Sequence, residues 1–167
     1  MRLVKPARSA AALRCAGAAL VAAWSGVAIG AASCTVAALP VVFGVYSPAS
    51  GSDSTSTGSV TVTCQPVLVS ISQSYTLSLS SGGAGSYAPR KLASGAYTLR
   101  YQLYTDAART TVWGDGSAGT TTISGSFALS VLVPVSASYV VYGQVPAAQT
   151  GVGAGSYTDT IVVTVVY

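Results

Sequence analysis

The sequence predicts an all-β sandwich for the part of the chain that follows residue 32. Three observations predict it: apolar residues recur with a period of two, the apolar runs are rich in β-branched and aromatic residues, and clusters of Gly, Ser, Asp and Pro separate the runs. About seven short strands at such a spacing are typical of a sandwich. No run beyond residue 32 has the 3.6-residue period that indicates a helix.

The first 32 residues are predicted to be a secretory signal peptide, and residues 33–167 a single domain. Arg2, Lys5, Arg8 and Arg14 form a basic start, residues 15–30 form an apolar run, and small residues surround a cleavage site expected after Ala32. The apolar run is short for a membrane span of about 20 residues. We therefore expect the domain to be exported.

Charge is balanced in the predicted domain. Four of the eight Lys and Arg residues lie in the predicted signal peptide, so the net charge of +4 belongs to the precursor. The remaining cations and anions are Arg90, Lys91, Arg100 and Arg109 against Asp53, Asp106, Asp115 and Asp159. This balance gives no reason to expect binding to nucleic acid or to a membrane surface.

The composition argues against an enzyme. The chain contains no His, Glu or Asn, which excludes a Ser-His-Asp or Cys-His nucleophile and leaves too few ligands for a zinc site. A glycosidase needs two carboxyl groups that face one cleft, and two of the four aspartates lie in turn contexts. We expect no catalytic activity, cofactor, metal or small-molecule substrate.

Six apolar runs account for most of the predicted strands: 59–64, 74–80, 97–104, 127–135, 138–145 and 159–167. The run 97–104 alternates strictly, and the pleat of a strand predicts that Tyr97, Leu99, Tyr101 and Leu103 point into the core.

The last run, 159–167, has a wholly apolar face made of Ile161, Val163, Val165 and Tyr167. We expect no later strand to cover its edge, which is long, apolar and nearly uncharged. Such an edge is a template for a strand from another chain.

Two cysteines, Cys34 and Cys64, follow the predicted signal peptide. An even pair in an exported domain favours a disulfide, whose loop closure stabilises a fold by roughly 3–4 kcal/mol. The alternative is a lipid-modified Cys34 at the mature N-terminus, for which residues 31–33 form a poor recognition sequence.

Residues 104–116, YTDAARTTVWGDG, concentrate charged and aromatic side chains and predict a strand end, a turn and a strand start. Asp106 is placed to accept hydrogen bonds from the turn, Arg109 to pair with it, and Trp113 to anchor packing rather than to stack on a sugar. Asp115 lies in a second reversal. A calcium site that uses both aspartates is disfavoured, because no Asp, Asn or Glu lies between them.

Several segments resemble the spore coat protein U domain, which also builds the subunits of archaic chaperone-usher pili. They are residues 34–48, 58–64, 99–116, 141–149 and 155–167, in the family's order over nearly all of the predicted domain. The block around Asp106, Arg109, Trp113 and Asp115 is a signature of the family.

The resemblance implies an incomplete immunoglobulin-like β-sandwich that lacks its last strand. It implies export to the periplasm, capture by a pilus chaperone, transfer to an outer-membrane usher, and assembly with neighbouring subunits by donor-strand complementation. The chain would then be a secreted structural or adhesive subunit of a pilus or surface coat, with roles in cell adhesion and biofilm formation.

The resemblance also implies a site. The acceptor groove would be lined by Ile161, Val163 and Val165 and by an early strand around Val36, Leu39 and Phe43. Tyr167 would lie where the family's chaperones bind the subunit terminus, and Cys34 and Cys64 match the family's disulfide.

One departure from the family limits the role. Major pilins carry a donor segment before the first cysteine, whereas cleavage after Ala32 would leave only Ser33 there. This predicts a tip, minor or non-polymerising subunit. The alternative from another class is a small outer-membrane β-barrel protein, which also ends in an alternating strand with a terminal aromatic residue.

Overall fold

The computed structural model describes residues 33–65, 71–129 and 133–167, and the predicted signal peptide lies outside them. No helix within these ranges is long and apolar enough to cross a membrane. The strands are β1 (Cys34–Leu39), β2 (Ser54–Cys64), β3 (Ile71–Leu79), β4 (Arg90–Ser94), β5 (Tyr97–Tyr104), β6 (Ile123–Leu129), β7 (Val135–Val145) and β8 (Val163–Val166).

The strands form two antiparallel sheets that pack as a sandwich. One sheet has five strands in the order β1-β2-β7-β5-β4, and the other has three in the order β6-β3-β8. The predicted sandwich is therefore confirmed.

Several boundaries differ from the sequence prediction, and β2 and β3 begin before the predicted runs, at Ser54 and Ile71. The predicted strand 127–135 divides between β6, which ends at Leu129, and β7, which begins at Val135 in the other sheet. Pro134 lies directly before β7, and a proline cannot donate to a strand ladder. The segment 90–94, which belongs to none of the predicted strands, is β4, because it pairs with β5 along its whole length.

Alternating side chains from both sheets fill the core. Leu99, Tyr101 and Leu103 are buried, as the alternation in the sequence predicts, but Tyr97 is 49% exposed. Tyr97 is the first residue of β5, and its ring lies against the backbone of Gly153 at the rim of the sandwich. Among the described residues, the buried apolar side chains are Cys34, Val60, Val62, Cys64, Tyr75, Leu77, Leu79, Leu99, Tyr101, Leu103, Trp113, Phe127, Leu129, Val141, Val145, Ile161 and Val163.

The predicted disulfide is present between Cys34 and Cys64. The two residues are direct partners in the β1–β2 ladder, and both are buried. Because its sulfur is in the disulfide, Cys34 offers no free thiol for a lipid. The bond fixes the register of β1, which is an edge strand held in its sheet by β2 alone.

We expect Cys64→Ser to lower the free energy of unfolding by about 3 kcal/mol, because the 30-residue closure would be lost. Chemical denaturation of the secreted protein under oxidising conditions measures the change. Wild-type protein in reductant should show the same lowered midpoint. Equal midpoints for wild type and variant would contradict a structural disulfide.

Candidate functional site

The final segment of the chain crosses from one sheet to the other. Thr158 exchanges two backbone hydrogen bonds with Ala93 of β4, at 2.9 and 3.0 Å. Four residues later, the Ser80 backbone N–H donates to the Val162 carbonyl at 2.9 Å, and β8 then pairs with β3. The regular strand is thus shorter than the predicted 159–167, because its first half bridges the two sheets.

The outer edge of β8 is open. Val163 and Val165 lie opposite Leu79 and Leu77 of β3, and within the described ranges no other strand pairs with β8. Backbone N–H and C=O groups along such an edge can pair with an added strand.

A second segment, residues 40–46, runs from the end of β1 over the inner face of the five-stranded sheet. Val41 and Phe43 lie on Gly143 of β7, where an added Cβ would come within 2.6 Å of Val41 and 2.8 Å of Phe43. Glycine is thus required for this close approach. The Ser54 hydroxyl donates to the Phe43 carbonyl at 3.1 Å and holds the segment in place.

An apolar groove lies between these two segments. It consists of two cavities of ≈ 90 and ≈ 990 Å³ that share Val41, Phe43, Leu92 and Asp159. The smaller cavity has a floor of core side chains, and the larger one is bordered by residues 152–158. The floor and walls of the smaller cavity are Leu39, Pro40, Val41, Phe43, Leu79, Leu92, Tyr101, Leu103, Val141, Asp159 and Ile161.

The structure places three of the predicted groove residues in the cavity walls: Leu39, Phe43 and Ile161. Leu39 is 68% exposed, so most of its side chain is available to a partner.

The other predicted groove residues lie elsewhere. Val163 is buried in the core, and Val36 and Val165 are partly buried against it. Tyr167 follows β8 and is 42% exposed. The cavity thus opens beside residues 39–46 and 159–161, before β8 begins, and the predicted role of these residues in binding a strand stays a prediction.

Asp159 supplies the carboxylate in the groove wall, and sequence reasoning did not assign it a role. Its two oxygens accept hydrogen bonds from the Tyr101 hydroxyl at 2.6 Å and from the backbone N–H groups of Gly83 and Thr160 at 2.8 and 2.7 Å. Burial, with the hydrogen bond to Asp159, raises the pKa of Tyr101. Asp159 therefore ties the crossing segment to both the sandwich core and the turn after β3.

Arg90 is a second residue whose role the sequence did not reveal. It is fully buried, and its guanidinium donates to the carbonyls of Ser80 at 3.0 and 3.2 Å and Trp113 at 2.7 Å. It also donates to the Gln102 side chain at 2.6 Å and lies 5.0 Å from the centre of the Tyr87 ring. Burial lowers the pKa of Arg90. In the sequence Arg90 lies between Pro89 and Lys91, and neither neighbour indicates that Arg90 is buried.

The side-chain amide of Gln149 pairs with the backbone of β5 as a neighbouring strand would. Its buried side-chain amide accepts from the Arg100 N–H at 2.8 Å and donates to the Arg100 carbonyl at 2.9 Å. The backbone N–H of Gln149 also donates to the Tyr46 hydroxyl at 2.9 Å. The loop that borders the groove is thereby fastened to β5 and to the segment 40–46.

The signature turn is built by Asp106, but not through an ion pair. The Asp106 carboxylate accepts from the backbone of Thr110 at 3.0 Å and Thr111 at 2.7 Å, and these bonds lower the pKa of Asp106. The expected pairing with Arg109 is wrong: the Arg109 backbone is in the left-handed region, with φ 57°, and its guanidinium donates to the carbonyls of Ala107 and Gly143.

Asp115 stabilises the second turn of this region, at residues 115–117. It accepts from the Ser117 hydroxyl and backbone N–H at 2.5 and 2.9 Å, and these hydrogen bonds lower its pKa. In the part of the chain that the structure describes, no three His, Cys, Asp or Glu side chains come together as metal ligands would. Trp113 is fully buried, and its indole N–H donates to the Leu77 carbonyl at 3.4 Å.

The fold and the groove define a class of protein: an antiparallel sandwich with an open strand edge beside an exposed apolar trough. The model of the Spore Coat Protein U domain family matches residues 20–164, and the chain belongs to that family. The match begins inside the predicted signal peptide. No curated protein matches the chain.

A solved structure with a similar fold is the crystal structure of the CsuC-CsuE chaperone-tip adhesion subunit pre-assembly complex from archaic chaperone-usher Csu pili of Acinetobacter baumannii. The sequences are 20% identical and the TM-score is 0.53. The match covers 82% of this chain but only 40% of the matched chain, and it shows a shared fold.

We expect Arg90→Met to lower the free energy of unfolding by about 3 kcal/mol, because the carbonyls of Ser80 and Trp113 and the Gln102 amide oxygen would lose a buried donor, at about 1–3 kcal/mol per unsatisfied group. The matched control is Lys91→Met at the exposed neighbouring position, with an expected change within about 0.5 kcal/mol. Urea unfolding of both variants measures the difference, and equal losses would contradict the role of Arg90.

Proposed function

We propose that this chain is a secreted structural or adhesive subunit of an archaic chaperone-usher pilus or a related surface coat, and that its groove accepts an extended strand from a partner chain. The observation that carries the proposal is the open edge of β8 beside the apolar groove. The partner is first a periplasmic chaperone and then, after transfer at an outer-membrane usher, a neighbouring subunit. Family membership and the likeness to a chaperone–subunit complex support this order.

Strand addition suits both halves of the site. Backbone groups of an added strand pair with the free edge of β8 and supply affinity that does not depend on sequence. Alternate side chains of that strand point to one side, where the cavity walls are apolar. Each aliphatic side chain that the groove buries contributes about 1.5–3 kcal/mol.

The exposed apolar residues around the groove support the same proposal. Leu39, Val42 and Val45 are 68%, 69% and 97% exposed on one short segment. Several large apolar side chains exposed so close together in the sequence favour an interaction site here.

We further propose a tip or minor position for this subunit. The proposal depends on cleavage after Ala32, which removes any segment that could serve as a donor strand. N-terminal sequencing of the secreted protein tests it, with Ser33 as the expected first residue. A start near residue 15–20 would restore a donor segment and would contradict the minor role without affecting strand acceptance.

Leu39→Asp should reduce capture by the chaperone of the same pilus system by more than about tenfold, because a seated strand would bury the new carboxylate without a partner. In the free protein, position 39 is exposed, so the variant should fold. Co-expression and co-purification with the chaperone measures capture.

The control is Ala37→Asp, at an exposed position of the same strand that lines neither cavity. The proposal predicts normal capture for this variant. Equal capture of the two variants would show that the groove is not the binding site.

A further inference from the structure

The three-stranded sheet has a second open edge, on the side opposite β8. β6 pairs with β3 without interruption from Leu77–Ile123 to Ile71–Leu129. Among the residues that the structure describes, no strand lies along the other side of β6.

This edge lacks the devices that usually prevent pairing between molecules. Natural edge strands are protected by charged residues, by proline or by bulges. The edge strand β4 carries Arg90 and Lys91 and is bridged by Thr158, the edge strand β1 is shorter than β6 and is followed directly by Pro40, and the edge of β8 borders the groove. β6, with the sequence ISGSFAL, has no charge, no proline and no bulge.

We propose that β6 is a self-association edge, at which a second copy of this chain pairs antiparallel with β6 about a two-fold axis through Ser126. Ser126 is the midpoint of the strand, so this register uses all seven residues. The two three-stranded sheets would become one sheet of six strands.

The side chains of β6 complement themselves in this register. On the inner face Phe127 of one copy lies opposite Gly125 of the other, and it would meet the ring of that copy's Tyr75, which fills the space over Gly125. Ile123 faces Leu129. On the outer face the exposed Ser126 side chains face each other, and Ser124 faces Ala128.

Shifted registers fit less well. A shift of the axis to Phe127 would place two phenylalanines opposite each other, and a shift to Gly125 would pair Phe127 with Ile123; each uses only five residues of the strand. Cross-strand hydroxyl contacts like that expected at Ser126 already occur in the five-stranded sheet, at 3.0 Å for Thr61–Ser138 and 2.8 Å for Thr63–Ser136. A second copy brings no like charge to the edge, since neither strand carries one.

Cysteine cross-linking of full-length protein purified from the periplasm tests the register. Directly opposite residues of an antiparallel pair have Cα atoms about 4.5 or 5.5 Å apart, which is within the range of a disulfide. Ser126→Cys should therefore give a covalent dimer under mild oxidation. Ser124→Cys alone should give at least about tenfold less, because its copy would lie roughly 13 Å away along the strand.

A mixture of Ser124→Cys and Ala128→Cys should restore the cross-link, because these positions face each other. Equal cross-linking of Ser126→Cys and Ser124→Cys, or failure of the mixture, would overturn the proposed register.

A charge at the axis tests the association itself. Ser126→Lys places two ammonium groups together and should shift sedimentation from dimer to monomer, while thermal unfolding and chaperone capture stay unchanged because the side chain is exposed and distant from the groove lining. A dimer that persists in Ser126→Lys, or wild-type protein that is monomeric at every concentration, would overturn the proposal. Loss of chaperone capture in Leu39→Asp leaves this result unaffected, so the two proposals fail separately.

Discussion

The hydrogen bonds of Asp159 hold the crossing segment on which the site depends. The segment 157–162 begins beside β4, where Thr158 pairs with Ala93, and crosses to the other sheet, where β8 pairs with β3. Between these two points it does not pair continuously with any strand. The carboxylate of Asp159 compensates by joining the crossing segment to the Tyr101 hydroxyl in the core and to the Gly83 backbone in the neighbouring turn. Gly82 must be glycine there, since an added Cβ would meet the carboxylate at 2.2 Å. One wall of the groove is thus fixed by polar contacts, although its surface is apolar.

Polar side chains perform the same task at other places where the sheet ladders end. Arg90 satisfies the carbonyls of Ser80 and Trp113, and the amide of Gln149 pairs with Arg100 as a neighbouring strand would. Buried backbone groups need such partners because an unsatisfied donor or acceptor is costly. These contacts hold the loops around the groove against the two sheets.

The sequence predicted the period-two elements well and the long-range polar contacts poorly. Leu99, Tyr101 and Leu103 were assignable because alternation is a local property of a strand. The segment 90–94 was not assignable, because Arg90 is buried by partners ten to twenty-three positions away. An ion pair between Arg109 and Asp106 was predicted from their spacing alone. In the structure the Asp106 carboxylate accepts hydrogen bonds from backbone N–H groups of the turn instead. The groove residues were predicted from the family resemblance alone. In the structure the cavity is bordered by Asp159 and Ile161 of the crossing segment and by no residue of β8.

The near absence of charge on the strands leaves the edges of β6 and β8 without charged protection, but the two proposed contacts differ in symmetry. All four aspartates accept hydrogen bonds in connections between strands, including Asp53 from the Ala147 backbone, and β1, β2, β3, β6, β7 and β8 contain no Asp, Lys or Arg. Under the proposed function, a strand inserted beside β8 comes from a different segment of its partner, so that contact would be heterologous. Pairing through β6 is isologous, and it closes after two copies. The proposed contact at β8 would therefore attach this subunit to a chaperone or a neighbouring subunit, whereas the proposed contact at β6 would join two such subunits, and with them their assemblies, side by side.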